Sequence, residues 1–205
     1  MFGFSLSRLQ YFDYDGIFAR NMKPGYWYIY HAGIHRVGMI MHLATCLPGG
    51  LLMVLQFVPR IRQKYTLFHR LNGNLVVALF IISNLGACLM LGHNETGQRM
   101  GAQTSEGFLV IITTIAMGLA YWNIKRLQID LHRAWMLRAM VYFGSIISSR
   151  IISLVGMVIV GHIGQYYSVW SCKEIDFLYK QFGVDGALAF ADDRLVEAVI
   201  FRSKR

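Results

Sequence analysis

The sequence predicts an all-α integral membrane protein, a four-helix transmembrane bundle with an amphipathic C-terminal tail. Three observations carry that expectation. The chain of 205 residues is 55% hydrophobic and only 15% charged, where soluble domains carry about 25% charged residues. Its mean hydropathy is +0.42, and the apolar residues gather in four runs long enough to cross a hydrocarbon core of about 30 Å. The net charge of +9 is concentrated in short loops beside those runs, which is the topology signal of membrane proteins. That placement argues against nucleic acid as a partner and for the lipid bilayer.

Three parts follow from this pattern: an N-terminal segment and interfacial aromatic region over 1–36, a four-span bundle over 37–161 and an extramembrane tail over 162–205. The first residues, MFGFSLSRLQYFDYDG, have neither a long apolar core nor a small-residue cleavage site, so no cleaved signal peptide is expected. Tyr26, Trp27, Tyr28 and Tyr30 form an aromatic cluster of the kind found at membrane interfaces.

The first span is expected over 37–58, with an interfacial helix before it through His31 and His35 and a bend at Pro48-Gly49-Gly50. His31, His35, Gly38 and His42 share one helical stripe, extended by Thr45, Gly49, Met53 and Gln56. A polar line on a membrane helix must face the bundle, because lipid cannot satisfy it. The first loop is basic, with Arg60, Arg62, Lys64 and Arg70. The second span is expected over 72–92, with His69 just before it. The second loop is near neutral and holds the sequon Asn94-Glu95-Thr96. The third span, over 108–124, is almost purely apolar and reads as the helix with least to do in any site. A second basic loop leads to the fourth span, over 138–161.

Both basic loops are expected in the cytoplasm, which puts both termini in the lumen of the endoplasmic reticulum or another endomembrane. The tail has six acidic and six basic residues and reads as one or two short helices on the membrane surface. The three cysteines, Cys46, Cys88 and Cys172, form neither a disulfide framework nor a CxxC pair.

The stretch 131–150, LHRAWMLRAMVYFGSIISSR, is the most unusual in the chain. Trp135, Arg138, Tyr142, Ser145, Ser149, Ser153 and Gly156 fall on one helical face roughly 80° wide. The serines on it read as a surface for close helix packing. His132 and Arg150 lie beside that face, about five turns apart. Arg150 has no acidic residue in any of the four expected spans to neutralise it. Ser83, Tyr142, backbone carbonyls or a bound anion are its candidate partners. His42 could join His35 in an upper site, or accept a bond from Asn84 or Ser149.

At the basic end, Gln56, His69, Arg70, His132, Arg133, Trp135 and Arg138 come to similar depth. Three readings of this cluster stand. His69 and His132 are candidate iron ligands of a b-type haem, with Arg70 and Arg133 on its propionates and His42 and Arg150 as further cofactor or anion contacts. Alternatively, His69, His132 and Arg138 are candidate catalytic groups acting on a small lipophilic or anionic ligand. In the third reading these side chains bind headgroup phosphates and cap loops. A rim site of His31, His93 and His162 lacks a carboxylate at ligand spacing.

Taken together, His42, PGG (48–50), QFVPRIR (56–62), HRLNG (69–73), HRAWMLR (132–138) and Arg150 resemble the small four-span membrane proteins of domain-of-unknown-function family 2306. The tail segment YYSVWSCKEIDFL looks like its fungal branch. The resemblance implies a four-span bundle with a polar centre and does not fix an activity. It associates the chain with fungal specialised metabolism, and so with a cofactor-free enzyme acting on a lipophilic metabolite as one alternative. A non-catalytic transport or accessory protein is the other. The histidine placement is also similar to that of transmembrane b-type cytochromes. Here, however, His69 to His93 and His132 to His162 would span about 36 and 45 Å of helix, more than the apolar core. A two-haem arrangement therefore does not fit the spacing.

Overall fold

Four long apolar helices dominate the computed structural model, which describes residues 2–21, 26–91, 100–163, 176–177 and 179–180. Short elements come first: α1 (Phe2–Arg8), a 3₁₀ turn (Leu9–Phe12), a π turn (Tyr14–Phe18), α2 (Ala19–Asn21) and α3 (Tyr26–Tyr30). Then follow α4 (Gly33–Leu55), α5 (Pro59–Lys64), α6 (Thr66–Met90), α7 (Met100–Lys125) and α8 (Ile129–Ile163). By length and composition α4, α6, α7 and α8 are each able to cross a membrane, and the chain is an integral membrane protein built on them. Most of the tail, the sequon and His93 lie outside the described residues.

Two differences from the expected elements matter. The chain breaks between α3 and α4 at Gly33, whose φ of +70° belongs to the left-handed region that glycine enters without strain. His31 therefore does not continue the stripe of His35 and His42. Its ring instead donates from Nδ1 to the Tyr28 carbonyl, 2.7 Å away, and stacks on Phe177 of the tail. The fourth span is the second difference: α8 starts at Ile129, before the expected 138, and runs to Ile163 as one helix; Pro48 lies inside the continuous α4.

The bundle is two helical hairpins. In the first, α4 and α6 cross so closely at Gly38 and Gly86 that no side chain fits. A Cβ at Gly86 would stand 2.8 Å from the Gly38 carbonyl oxygen and 2.9 Å from the His42 nitrogen. Small residues at a crossing let membrane helices approach to backbone contact. In the second hairpin, α7 ends in a Schellman motif. Gln128 N–H bonds the Asn123 carbonyl at 3.0 Å and Leu127 N–H bonds the Ile124 carbonyl at 3.1 Å, with Leu127 at φ 59°. That position usually carries glycine.

One apolar core ties the hairpins together in the half nearest the basic loops, hereafter the basic half. It contains Met53 of α4, Val76 and Phe80 of α6, Ala116 and Met117 of α7, and Ala139 and Phe143 of α8. The Phe80 and Phe143 rings stack at 4.4 Å. The opposite, far half is looser. Beyond Ile146 and Ile147, α8 is exposed on every side through Val155, and a Cβ at Gly144 or Gly156 would meet nothing within 4 Å. The serine face expected to pack is among the exposed residues. Ser145 and Ser149 instead donate to the carbonyls of Tyr142 and Ile146 in their own helix, at 2.6 and 2.7 Å.

The N-terminal segment runs back along α4. Ser5 is buried where a Cβ on Gly50 would overlap its hydroxyl, and at the other end Asp15 pairs with Arg36 at 2.8 Å. Gly50 therefore works as a docking notch for Ser5. Tyr14 and Phe18 are buried and stacked at 4.8 Å. The Tyr14 hydroxyl donates to the Tyr30 carbonyl at 2.8 Å, and burial pushes its pKa up to about 12.

Candidate functional site

Several polar side chains of the bundle bond a neighbouring helix. Asn72 donates to the Leu52 carbonyl at 3.0 Å and Gln56 to the His69 carbonyl at 3.3 Å, both between α6 and the end of the first span. Asn84 donates to Thr113 and Thr114 of α7, at 3.1 and 2.9 Å. His35 bonds the Leu89 carbonyl at 3.1 Å. The expected contacts of His42 with Asn84 or Ser149 do not form. Its Nδ1 lies instead 3.1 Å from the Ser83 carbonyl and 2.9 Å from the Ser83 hydroxyl. Ser83, a candidate partner for Arg150, is thereby committed to His42.

These contacts decide tautomers. A carbonyl oxygen only accepts, so a ring nitrogen facing one at hydrogen-bond distance carries the proton. Nδ1 is therefore protonated in His42, with the Ser83 carbonyl and hydroxyl oxygens sharing its hydrogen. The same holds in His132, which donates to the Ala120 carbonyl at 2.8 Å. In the neutral ring this leaves Nε2 with its lone pair, as a base or a metal ligand. Fixing one ring nitrogen on a carbonyl is how ligating histidines are usually oriented.

At the basic end His69 and His132, from different hairpins, lie within electrostatic reach of each other. The charges of Arg62 and His132 both act on the His69 ring. His69 Nδ1 is buried and has no hydrogen-bond partner, which is costly for a polar atom unless a ligand completes it. The arginines divide. Arg62, exposed and not among the candidates, acts by its charge on the His69 ring. Arg138 is exposed too, its guanidinium 4.6 Å from the Trp135 ring centre. Arg70 is exposed, and Arg133 is exposed and 4.0 Å from Asp130. Arg150 is absent from this cluster: it sits about 27 Å along α8 from His132 and acts on His42 instead. The cluster and the Arg150–His42 region are therefore two places.

The helix expected to contribute least, α7, contributes to both hairpin contacts. Its Ala120 carbonyl orients His132, and Thr113 and Thr114 hold Asn84. A carbonyl has no sequence signature. Two adjacent threonines in an apolar run were the available signal for the other contact. Of the rim set, His93 lies outside the described residues, and among the described ones no group of three His, Cys, Asp or Glu side chains is placed to hold a metal ion.

Four apolar helices in two hairpins, with polar side chains turned inward, define a multi-pass membrane protein with a polar interior. Residues 39–173 match the family model described as predicted membrane protein (DUF2306), and the chain belongs to that family. No curated protein and no solved structure matches the chain.

Proposed function

We propose that this chain is a membrane-embedded oxidoreductase-like protein whose working site lies at the basic end, between His69 and His132, and that the site holds a b-type haem. The observation that carries this reading is the pairing of two histidines from separate hairpins. One is oriented by a backbone carbonyl and the other has a buried ring nitrogen with no partner. Haem, when bound, supplies one-electron chemistry. The protein's own residues would hold it through ring nitrogens of His69 and His132, with positive charge from Arg62 and Arg138 for the propionates. The Lys/Arg excess of the two loops supports placing this end in the cytoplasm, with the protein in an endomembrane.

An optical spectrum of the detergent-purified protein from haem-replete cells tests the proposal. A Soret band is expected, and His69→Ala or His132→Ala should remove it while the protein still elutes as a monodisperse species. A colourless wild-type preparation sinks the haem reading.

A second reading keeps the site and removes the cofactor. His132 presents Nε2 as a base, and nearby arginines would hold an acidic or carbonyl group of a lipophilic metabolite. In that case His132→Ala abolishes turnover of such a substrate in a protein that remains folded. A non-catalytic transport or accessory role is supported by the same hydrogen bonds, since each also ties helices together. It predicts that His132→Ala lowers thermal stability and changes nothing else.

A further inference from the structure

Each spanning helix has one inward line, marked by its buried residues. On α4 it runs through His35, His42, Gly49 and Met53, and on α6 through Asn72, Val76 and Ser83. On α7 it runs through Thr113, Met117 and Ala120, and on α8 through Ala139 and Phe143. At 100° per residue, Glu106 extends the α7 line and Arg150 the α8 line, each within about 20° of its neighbours there. In the basic half all four lines end in the apolar core. In the far half they end in His42, Ser83, Glu106 and Arg150. The first two bond each other, whereas Glu106 and Arg150 are exposed, because α8 stands away from the other helices at that level.

Arg150 is no terminal residue able to reach water by bending. The helix continues about 20 Å past it, through the exposed apolar residues Ile151, Ile152, Leu154, Val155, Val158 and Ile159. Among the described residues it makes no hydrogen bond and no ion pair. A cation at this depth is costly unless something negative or strongly polar meets it. Among the described residues Glu106 is the one carboxylate on an inward line of the far half, and no ion pair joins it to Arg150. Residues 148–155 of α8 are exposed on every side, and a Cβ at Gly144 or Gly156 would meet nothing within 4 Å.

We infer that the far half of the bundle is a binding site for a lipophilic acid, whose carboxylate or phosphate pairs with Arg150 beside His42 and whose apolar tail fills the space that α8 leaves open. This site is separate from the His69–His132 pair, and a colourless protein leaves it standing. The acid group has two available sources: a phospholipid of the membrane itself or a free lipophilic carboxylic acid.

Fluorescence titration of the purified full-length protein with cis-parinaric acid and with its methyl ester tests the inference. The acid should bind at least tenfold tighter than the ester. Arg150→Gln should erase that preference and Arg150→Lys should keep most of it. Equal binding of acid and ester by the wild-type protein overturns the proposal, and that comparison needs no variant. Glu106→Gln gives a second arm. If Arg150 serves instead as the partner of Glu106, the wild-type protein shows no acid preference and Glu106→Gln creates one, which overturns the proposal. If acid binding persists or tightens in Glu106→Gln, the proposal holds. Dioleoyl phosphatidate then identifies the source. Full displacement of the probe marks a resident phospholipid, and failure to displace it marks a free carboxylic acid.

Discussion

The two halves of the bundle use the same four helices and are held differently. In the basic half Met53, Phe80, Met117, Ala139 and Phe143 interdigitate across both hairpins, and His132 is bonded to α7. In the far half α4 and α6 meet backbone to backbone at Gly38 and Gly86 while α8 meets almost nothing. In water the exposed apolar surface of α8 would be a driving force for closure. In lipid it is not, because acyl chains are as apolar as leucine. Packing and hydrogen bonds alone hold membrane helices together, so a half that lacks them stays open. A rigid half that orients two histidines and an open half that exposes an arginine are thus consequences of where small and complementary side chains fall.

The sharpest way to break this contrast is to make one substitution in both places. Gly86→Ala puts a methyl group into the Gly38 carbonyl and the α4 backbone. It should destabilise the protein by about 2–3 kcal/mol, the usual cost of overpacking, with a matching fall in the melting temperature in detergent. Gly156→Ala meets nothing and should be neutral or stabilising by less than about 1 kcal/mol through helix propensity. Equal effects at the two sites would mean that α8 is packed in solution.

Asn84→Leu removes the hydrogen bonds that join the hairpins in mid-membrane. A loss of about 1 kcal/mol is expected, the scale measured for interhelical polar contacts in membranes. A double-mutant cycle with Thr113→Val should show the two changes to be non-additive.

The docking of the N-terminal segment titrates. Tyr14 has its pKa raised from 10.0 to about 12, so the folded protein holds the phenol proton more tightly than the unfolded chain does. Its stabilising contribution is complete below pH 10 and disappears as the pH rises to about 12. Tyr14→Phe should abolish that step and cost about 1 kcal/mol at neutral pH, for the lost bond to the Tyr30 carbonyl. Trp27 fluorescence, 5.6 Å from the Tyr14 ring, reports the release of this segment.

The smallest effect expected is a gain. Leu127→Gly relieves a left-handed leucine at the end of α7 and should stabilise the turn by up to about 1 kcal/mol. If the melting temperature instead falls, the exposed leucine is anchoring the loop in the membrane surface.

Much of the site was legible residue by residue, and its assignment to places was not. HRLNG and HRAWMLR correctly put His69 and His132 at one end, since both follow basic loops. Arg150 was recognisable as an unpartnered cation. Its distance from the histidine pair was legible too, as about five turns of one helix; that its charge acts on His42 was not. Arg62 and the Ala120 carbonyl went unrecognised because one looks like an ordinary loop arginine and the other is backbone. The α8 serines were read as a packing surface, and they bond their own helix because no partner helix comes near.

By itself, the sequence determined that this is a membrane protein with four spans and two basic loops on one side. Hydropathy and length are properties of each segment alone, and a bilayer reads them locally. Only the tertiary structure decided which polar groups meet: Ser83 with His42, Asn84 with Thr113, and His132 with Ala120. It also decided that the basic half closes and the far half does not. Within lipid no hydrophobic gradient turns a helix toward its neighbours. Its rotation is set by where two surfaces, often as far apart in sequence as Gly38 and Gly86, happen to fit.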